Sequence, residues 1–132
     1  MGLKYLWDTN IIIYYLQEKF LPPAEEQIDG IVDNYTTAFS IISEIEISCW
    51  KFSTEGDINL IKGFILNSVV FELTTDIKLK TIEIRKTYSL KLPDAIIAAT
   101  AIVMDLTLIT NDNRGFSKVP SLKILNPAVA KQ

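Results

Sequence analysis

Among the 132 residues there is no histidine. Ser-His-Asp and Cys-His nucleophilic machinery is therefore excluded, as is any histidine-bound zinc. Cysteine is almost missing too. Cys49 stands alone, so no intramolecular disulfide framework can form, which fits a reducing cytoplasm. Neither G-x-G-x-x-G nor G-x-x-x-x-G-K-[ST] occurs, which leaves dinucleotide and P-loop phosphate binding without support. No apolar run is long enough for a membrane: the longest, Ala95 to Met104, is about half a span and includes Thr100. The first residues run straight into a strand pattern without a signal-peptide cleavage site. The expectation is a soluble, cytoplasmic protein. No repeat, linker or low-complexity stretch divides it, and one domain over residues 1–132 is expected.

What remains is carboxylate, hydroxyl, amide, lysine and arginine. With 48% hydrophobic residues, 22% charged and a net charge of −3, the chain can bury a substantial core. Strand-like and helix-like segments alternate, and the crossovers are long. The strand segments are Leu3–Trp7, Thr36–Phe39, Ser68–Leu73, Leu106–Thr110 and Leu122–Leu125. Helices are expected over Ile11–Leu16, Ala24–Asn34 after a break at Pro22-Pro23, Ile41–Phe52, Ile58–Asn67, Asp76–Tyr88 and Ala95–Met104. Ser53–Asp57 reads as a turn and Asn111–Ser117 as a loop. This alternation predicts an α/β fold of three α/β/α layers around a mostly parallel sheet of four to five strands.

Several acids recur where such sheets place their chemistry, near the carboxyl ends of strands. Asp8 follows the first strand; Thr9 or Asn10 suits the cap of the next helix, and Asp8 is either a capping group or a metal ligand. Asp94, behind Leu92-Pro93, lies in the first turn of an almost wholly apolar helix, where it either answers the helix dipole or serves a site. Asp112 follows the fourth strand in an Asn-rich stretch that equally makes a turn. Glu44 and Glu46 lie after the second strand, and Ser43-x-x-Glu46 matches a capping box. The two glutamates are about 200° apart around a helix and cannot both face one site. Glu46 shares its side with Ile42, Cys49 and Trp50, the face expected to pack inward, whereas Glu44 lies with Ser48 and Lys51. Two bare carboxylates ~4 Å apart repel by about 1 kcal/mol in water and about 4 kcal/mol at an intermediate dielectric. Three or four together need protons or a cation, and Mg²⁺ or Mn²⁺ suits an all-oxygen donor set.

These stretches carry a resemblance in order: Asp8-Thr9-Asn10, Ser40-Ile-Ile-Ser43-Glu44-Ile45-Glu46-Ile47, Leu90-Lys91-Leu92-Pro93-Asp94-Ala95 with the alanine-rich helix behind it, and Leu108-Ile109-Thr110-Asn111-Asp112. Over nearly its whole length the chain resembles PIN-domain ribonucleases of the VapC toxin type, also called PilT N-terminus-like. The resemblance implies a Mg²⁺- or Mn²⁺-dependent endoribonuclease, the toxin of a type II toxin-antitoxin pair. It implies RNA as substrate, a cognate antitoxin and a homodimer. Its acids fall on Asp8, Glu46, Asp94 and Asp112, as catalytic and metal-holding residues, with Asn10 and Thr110 in support. One departure stands out: Gly115 precedes Phe116 where the family commonly has an acid. Two other readings remain open. A haloacid-dehalogenase-type phosphatase needs a second acid two residues after Asp8, where Asn10 stands. A non-catalytic binding or scaffold domain could keep the fold.

Overall fold

A computed structural model describes residues 1–51 and 54–127. In chain order the elements are β1 (Tyr5–Trp7), α1 (Thr9–Leu16), α2 (Pro22–Asn34), β2 (Ala38–Ser40), α3 (Ile41–Ser48), α4 (Glu55–Leu66), β3 (Val69–Phe71), α5 (Thr75–Thr87), α6 (Leu92–Val103), β4 (Thr107–Ile109), α7 (Asn113–Phe116) and β5 (Ile124–Leu125). Every strand pair is parallel. The order is β1-β4-β5 in one ladder and β2-β3 in another, with β1 packed alongside β2. The chain thus builds outward from β1 in one direction and returns to its other edge with β4. The gap between the ends of β1 and β4 is a topological switch point, the usual crevice for a site in such sheets.

Side chains alternate across the sheet and fix a core on each face. In β1, Leu6 joins the cluster beneath α5 and α6, while Trp7 joins the one beneath α1, α2 and α4. β4 is in step, because Leu6 pairs with Leu108 and Trp7 with Ile109, and each pair shares a cluster. This is the expected three-layer arrangement. Helix α6 is buried continuously from Ala95 to Thr100 and on to Ala101. Its four fully buried alanines let it lie close to its neighbours, among them β2 and β4.

The elements differ from the sequence expectation mainly at their ends. Pro22 and Pro23 open α2 rather than break the chain before it, since a first-turn position needs no N–H. Ser40, between the expected strand and helix, closes β2 and caps α3 by accepting from Ile42 N at 3.0 Å. α3 stops at Ser48, with Cys49 as its C-cap; Phe52 and Ser53 lie outside the described residues. α4 starts earlier than Ile58, because Thr54 caps it through Asp57 N. The stretch 111–117 holds the short helix α7 rather than only a loop.

Candidate active site

β1 delivers Asp8 to the switch point and α1 begins directly behind it. Asp8 itself is the N-cap, with extended backbone, rather than Thr9 or Asn10. Its Oδ1 accepts from Thr9 N at 2.8 Å and its Oδ2 from the Thr110 hydroxyl at 2.8 Å. Capping and site placement are therefore not alternatives for this residue. The carboxylate is 6% exposed. Burial pushes it from 3.8 up to about 6, the like charges of Asp94 and Asp112 push the same way, and the Thr110 and Thr9 hydrogen bonds oppose them.

β4 supplies the facing wall. Thr110, wholly buried at its end, donates to Asp8 and accepts from Asp112 N at 2.9 Å. Asp112 then caps α7, its Oδ1 accepting from Gly115 N at 3.2 Å. A Cβ at residue 115 would stand 3.2 Å from Asp112 Oδ2, a tight approach. The third wall is the start of α6, where Pro93 occupies the first turn and Asp94 projects beside Lys91. Asp94 is raised above the ordinary carboxylate range, first by burial, then by Asp112 and Glu46, with Lys91 opposing.

Glu46 reaches the same cavity from α3, and Glu44 is not among its lining residues. The route differs from the inward-facing helix side expected from sequence. The buried positions of α3 are Ser43 and Ile47, whereas Glu46, Cys49 and Trp50 are exposed. Cys49 and Trp50 lie beyond the last helical residue, so the periodicity that groups them with Ile42 no longer applies. Glu46 is held instead by Thr9, whose hydroxyl donates to Glu46 Oε1 and bonds Ser43 Oγ at 2.9 Å. Sequence reasoning alone misses this Thr9–Ser43–Glu46 link. Its one trace there is the Ser43-x-x-Glu46 spacing, which matches a capping box that Ser40 makes unnecessary.

Asp8, Glu46, Asp94 and Asp112 thus line one cavity of about 370 Å³, together with Thr9, Asn10, Ile13, Trp50, Lys91 and Pro93. Asn10 sits exposed on its rim, and its side chain makes no hydrogen bond among the described residues. The ion pairs among the described residues, Lys80–Glu83 and Lys123–Asp105, involve none of the four acids. No three acid or thiol side chains among the described residues stand close enough to form a ready-made coordination sphere. Mg²⁺ does not require one, because it ordinarily keeps several waters and takes only one or two carboxylates directly. Hard oxygen donors without an ion-pair partner, two of them raised toward protonation, fit a divalent cation chemically.

Known proteins share this fold. No helix among the described residues is long and apolar enough to cross a membrane. No curated protein sequence matches the chain. Among solved structures, DNA-bound VapBC from Salmonella typhimurium is 25% identical with a TM-score of 0.76, covering 93% of this chain and 97% of that one. A toxin-antitoxin complex from Klebsiella pneumoniae is 25% identical with a TM-score of 0.71, over 95% and 98% of the two chains. VapBC2 from Rickettsia felis, bound to a promoter DNA fragment, shares the fold at 23% identity, with a TM-score of 0.76 and coverage of 94% and 98%. The family model of the PIN domain matches residues 5–122, from β1 to the approach to β5, and the chain belongs to the PIN domain family.

Proposed function

We propose that this chain is a metal-dependent endoribonuclease, the toxin of a toxin-antitoxin pair, and that Asp8, Glu46, Asp94 and Asp112 form its catalytic centre. The observation that carries the reading is the meeting of these four acids, from four separate parts of the chain, in one cavity at the switch point of a parallel sheet. They would hold Mg²⁺ or Mn²⁺, which when bound supplies charge stabilisation at the scissile phosphate and lowers the pKa of water.

The chain's own residues have distinct parts in this. Thr110 and the Thr9 amide fix both oxygens of Asp8, so that the carboxylate meets its ligand without reorganising. Thr9 tethers Glu46, and the α7 backbone orients Asp112. Lys91, on the cavity wall, can neutralise a phosphate oxygen. Trp50, 41% exposed, lines the same wall. These features suit RNA held by its phosphate backbone.

An antitoxin partner and a homodimer belong to the same proposal. Support for the antitoxin comes from the PIN family match and from structures at 25% identity whose chains occur in toxin-antitoxin complexes. The test is cleavage of single-stranded RNA by the purified chain with Mg²⁺, with Mn²⁺ and with chelator. Cleavage should require the metal and be lost in Asp8→Asn. Chelator-resistant cleavage, or equal cleavage by the variant, would reject the reading.

A further inference from the structure

A second cavity, of about 460 Å³, opens beside the acid cavity and shares Lys91, Asp94 and Asp112 with it. Its charge is of the opposite sign. Arg85, Lys91, Arg114 and Lys118 line it against those two carboxylates, in a chain whose net charge is −3. Two of the cations also shape its floor: Arg85 donates to Leu90 O at 2.6 Å and Lys118 to Ser89 O at 3.0 Å. Arg114 lies exposed in α7 and makes no hydrogen bond or ion pair among the described residues. Its guanidinium is therefore available to a ligand.

We infer that this basic cavity is a backbone-phosphate subsite, which takes the RNA phosphates next to the scissile one and sets the direction in which the strand crosses the acids. The inference rests on the nuclease reading and adds to it the path of the substrate. The shared wall supplies the geometry. A strand with one phosphate at the acid cavity must lead its neighbouring phosphates over Lys91, Asp94 and Asp112 into the basic cavity or away from it. On the basic side the lining offsets the charge of a polyanion. The forked guanidinium of Arg114 suits a phosphate better than a point charge would. A partner's acidic segment would satisfy the same cations, but nothing would make it continue into a cavity of four acids. A phosphodiester strand does continue there, toward the cation that those acids would hold.

The test uses the full chain carrying Asp8→Asn, so that binding is read without cleavage. Anisotropy of a labelled single-stranded RNA oligonucleotide is followed against salt in Mg²⁺ buffer for Arg114→Gln, Arg114→Glu and Lys118→Gln, with Lys62→Glu on the distant helix α4 as the charge control. The expected result is weaker binding in the order Glu, then Gln at residue 114. The log–log salt slope should fall by about 0.7 for each phosphate that is no longer neutralised. Lys62→Glu should leave the slope unchanged, and melting temperatures should stay the same throughout. Unchanged slopes at Arg114 and Lys118 would overturn the inference. So would tighter binding of an oligoglutamate peptide than of RNA, or Arg114-dependent binding of inorganic phosphate without any preference for RNA. The outcomes separate from the nuclease reading. Cleavage by the unsubstituted chain with no Arg114 dependence rejects only the subsite. Arg114-dependent RNA binding by a chain that cleaves nothing rejects only the nuclease.

Discussion

The Thr110 hydroxyl donates to Asp8 Oδ2 at 2.8 Å, joining two residues 102 positions apart in the chain. The Thr110 Oγ1 also accepts from Asp112 N at 2.9 Å. One buried hydroxyl therefore sets the positions of two acids at the ends of adjacent strands. Thr110→Val keeps the shape but leaves the Asp112 amide without its partner and Asp8 with one donor fewer. The expected loss of stability is about 1–3 kcal/mol, measured by denaturation. Weaker Mg²⁺ binding should accompany it. Thr110→Ser should restore both.

Asp8 governs how the metal-free protein responds to pH. Its carboxyl titrates near 6 when folded and near 3.8 in the unfolded chain, mainly because it is buried. Between those values the folded state holds a proton that the unfolded state has released. Stability is therefore fully present below pH 3.8 and falls as pH rises toward 6, by about 3 kcal/mol in all. The raised pKa of Asp94 acts in the same direction. In chelator, Asp8→Asn should melt above the unsubstituted chain at pH 7, with a flatter pH dependence from 4 to 6. Added Mg²⁺ should reverse the ranking at pH 7, because ligand carboxylates must be ionised to bind it.

Glu46 and Glu44 provide an internal control two residues apart. Glu46 lines the acid cavity and bonds Thr9, whereas Glu44 does neither. Glu46→Gln should lower metal affinity and RNA cleavage sharply, and Glu44→Gln should leave both nearly unchanged. Single-turnover cleavage at fixed Mg²⁺ distinguishes them, and the reverse ranking would move the site to the other side of α3.

Gly115 separates stability from site geometry. Its φ is not positive, so alanine fits the backbone and favours helix α7 by about 0.5–1 kcal/mol. The added Cβ, however, would stand 3.2 Å from Asp112 Oδ2, and that carboxylate must give way. Gly115→Ala should therefore keep or raise the melting temperature while weakening Mg²⁺ binding.

The parts of the fold legible in sequence are those fixed by local patterns. Strand-then-helix alternation locates β1 through β5, and the buried alanines of α6 follow from an apolar helix opened by Pro93. The places of Asp8, Asp94 and Asp112 follow from their adjacency to strand ends or to a helix start. What the sequence conceals depends on contacts between distant segments. Thr9 meets Ser43 and Glu46 across more than thirty residues, and no spacing rule marks such a link. The exposure of Cys49 and Trp50 turns on where α3 ends, and helix ends are poorly marked where no glycine or proline stands. The basic cavity collects Arg85, Lys91, Arg114 and Lys118 from three separate stretches, so composition alone shows only a net negative chain.

Whether the four acids form one metal centre is read from Mn²⁺ binding followed by electron paramagnetic resonance. The unsubstituted chain is compared with Asp8→Asn, Glu46→Gln, Asp94→Asn and Asp112→Asn, each checked for unchanged fold by circular dichroism. Binding should be saturable, and every one of the four substitutions should weaken it, by tenfold or more (about 1.4 kcal/mol) for Asp8 and Asp94. Saturable binding that persists undiminished in both Asp8→Asn and Asp94→Asn would contradict a single metal centre.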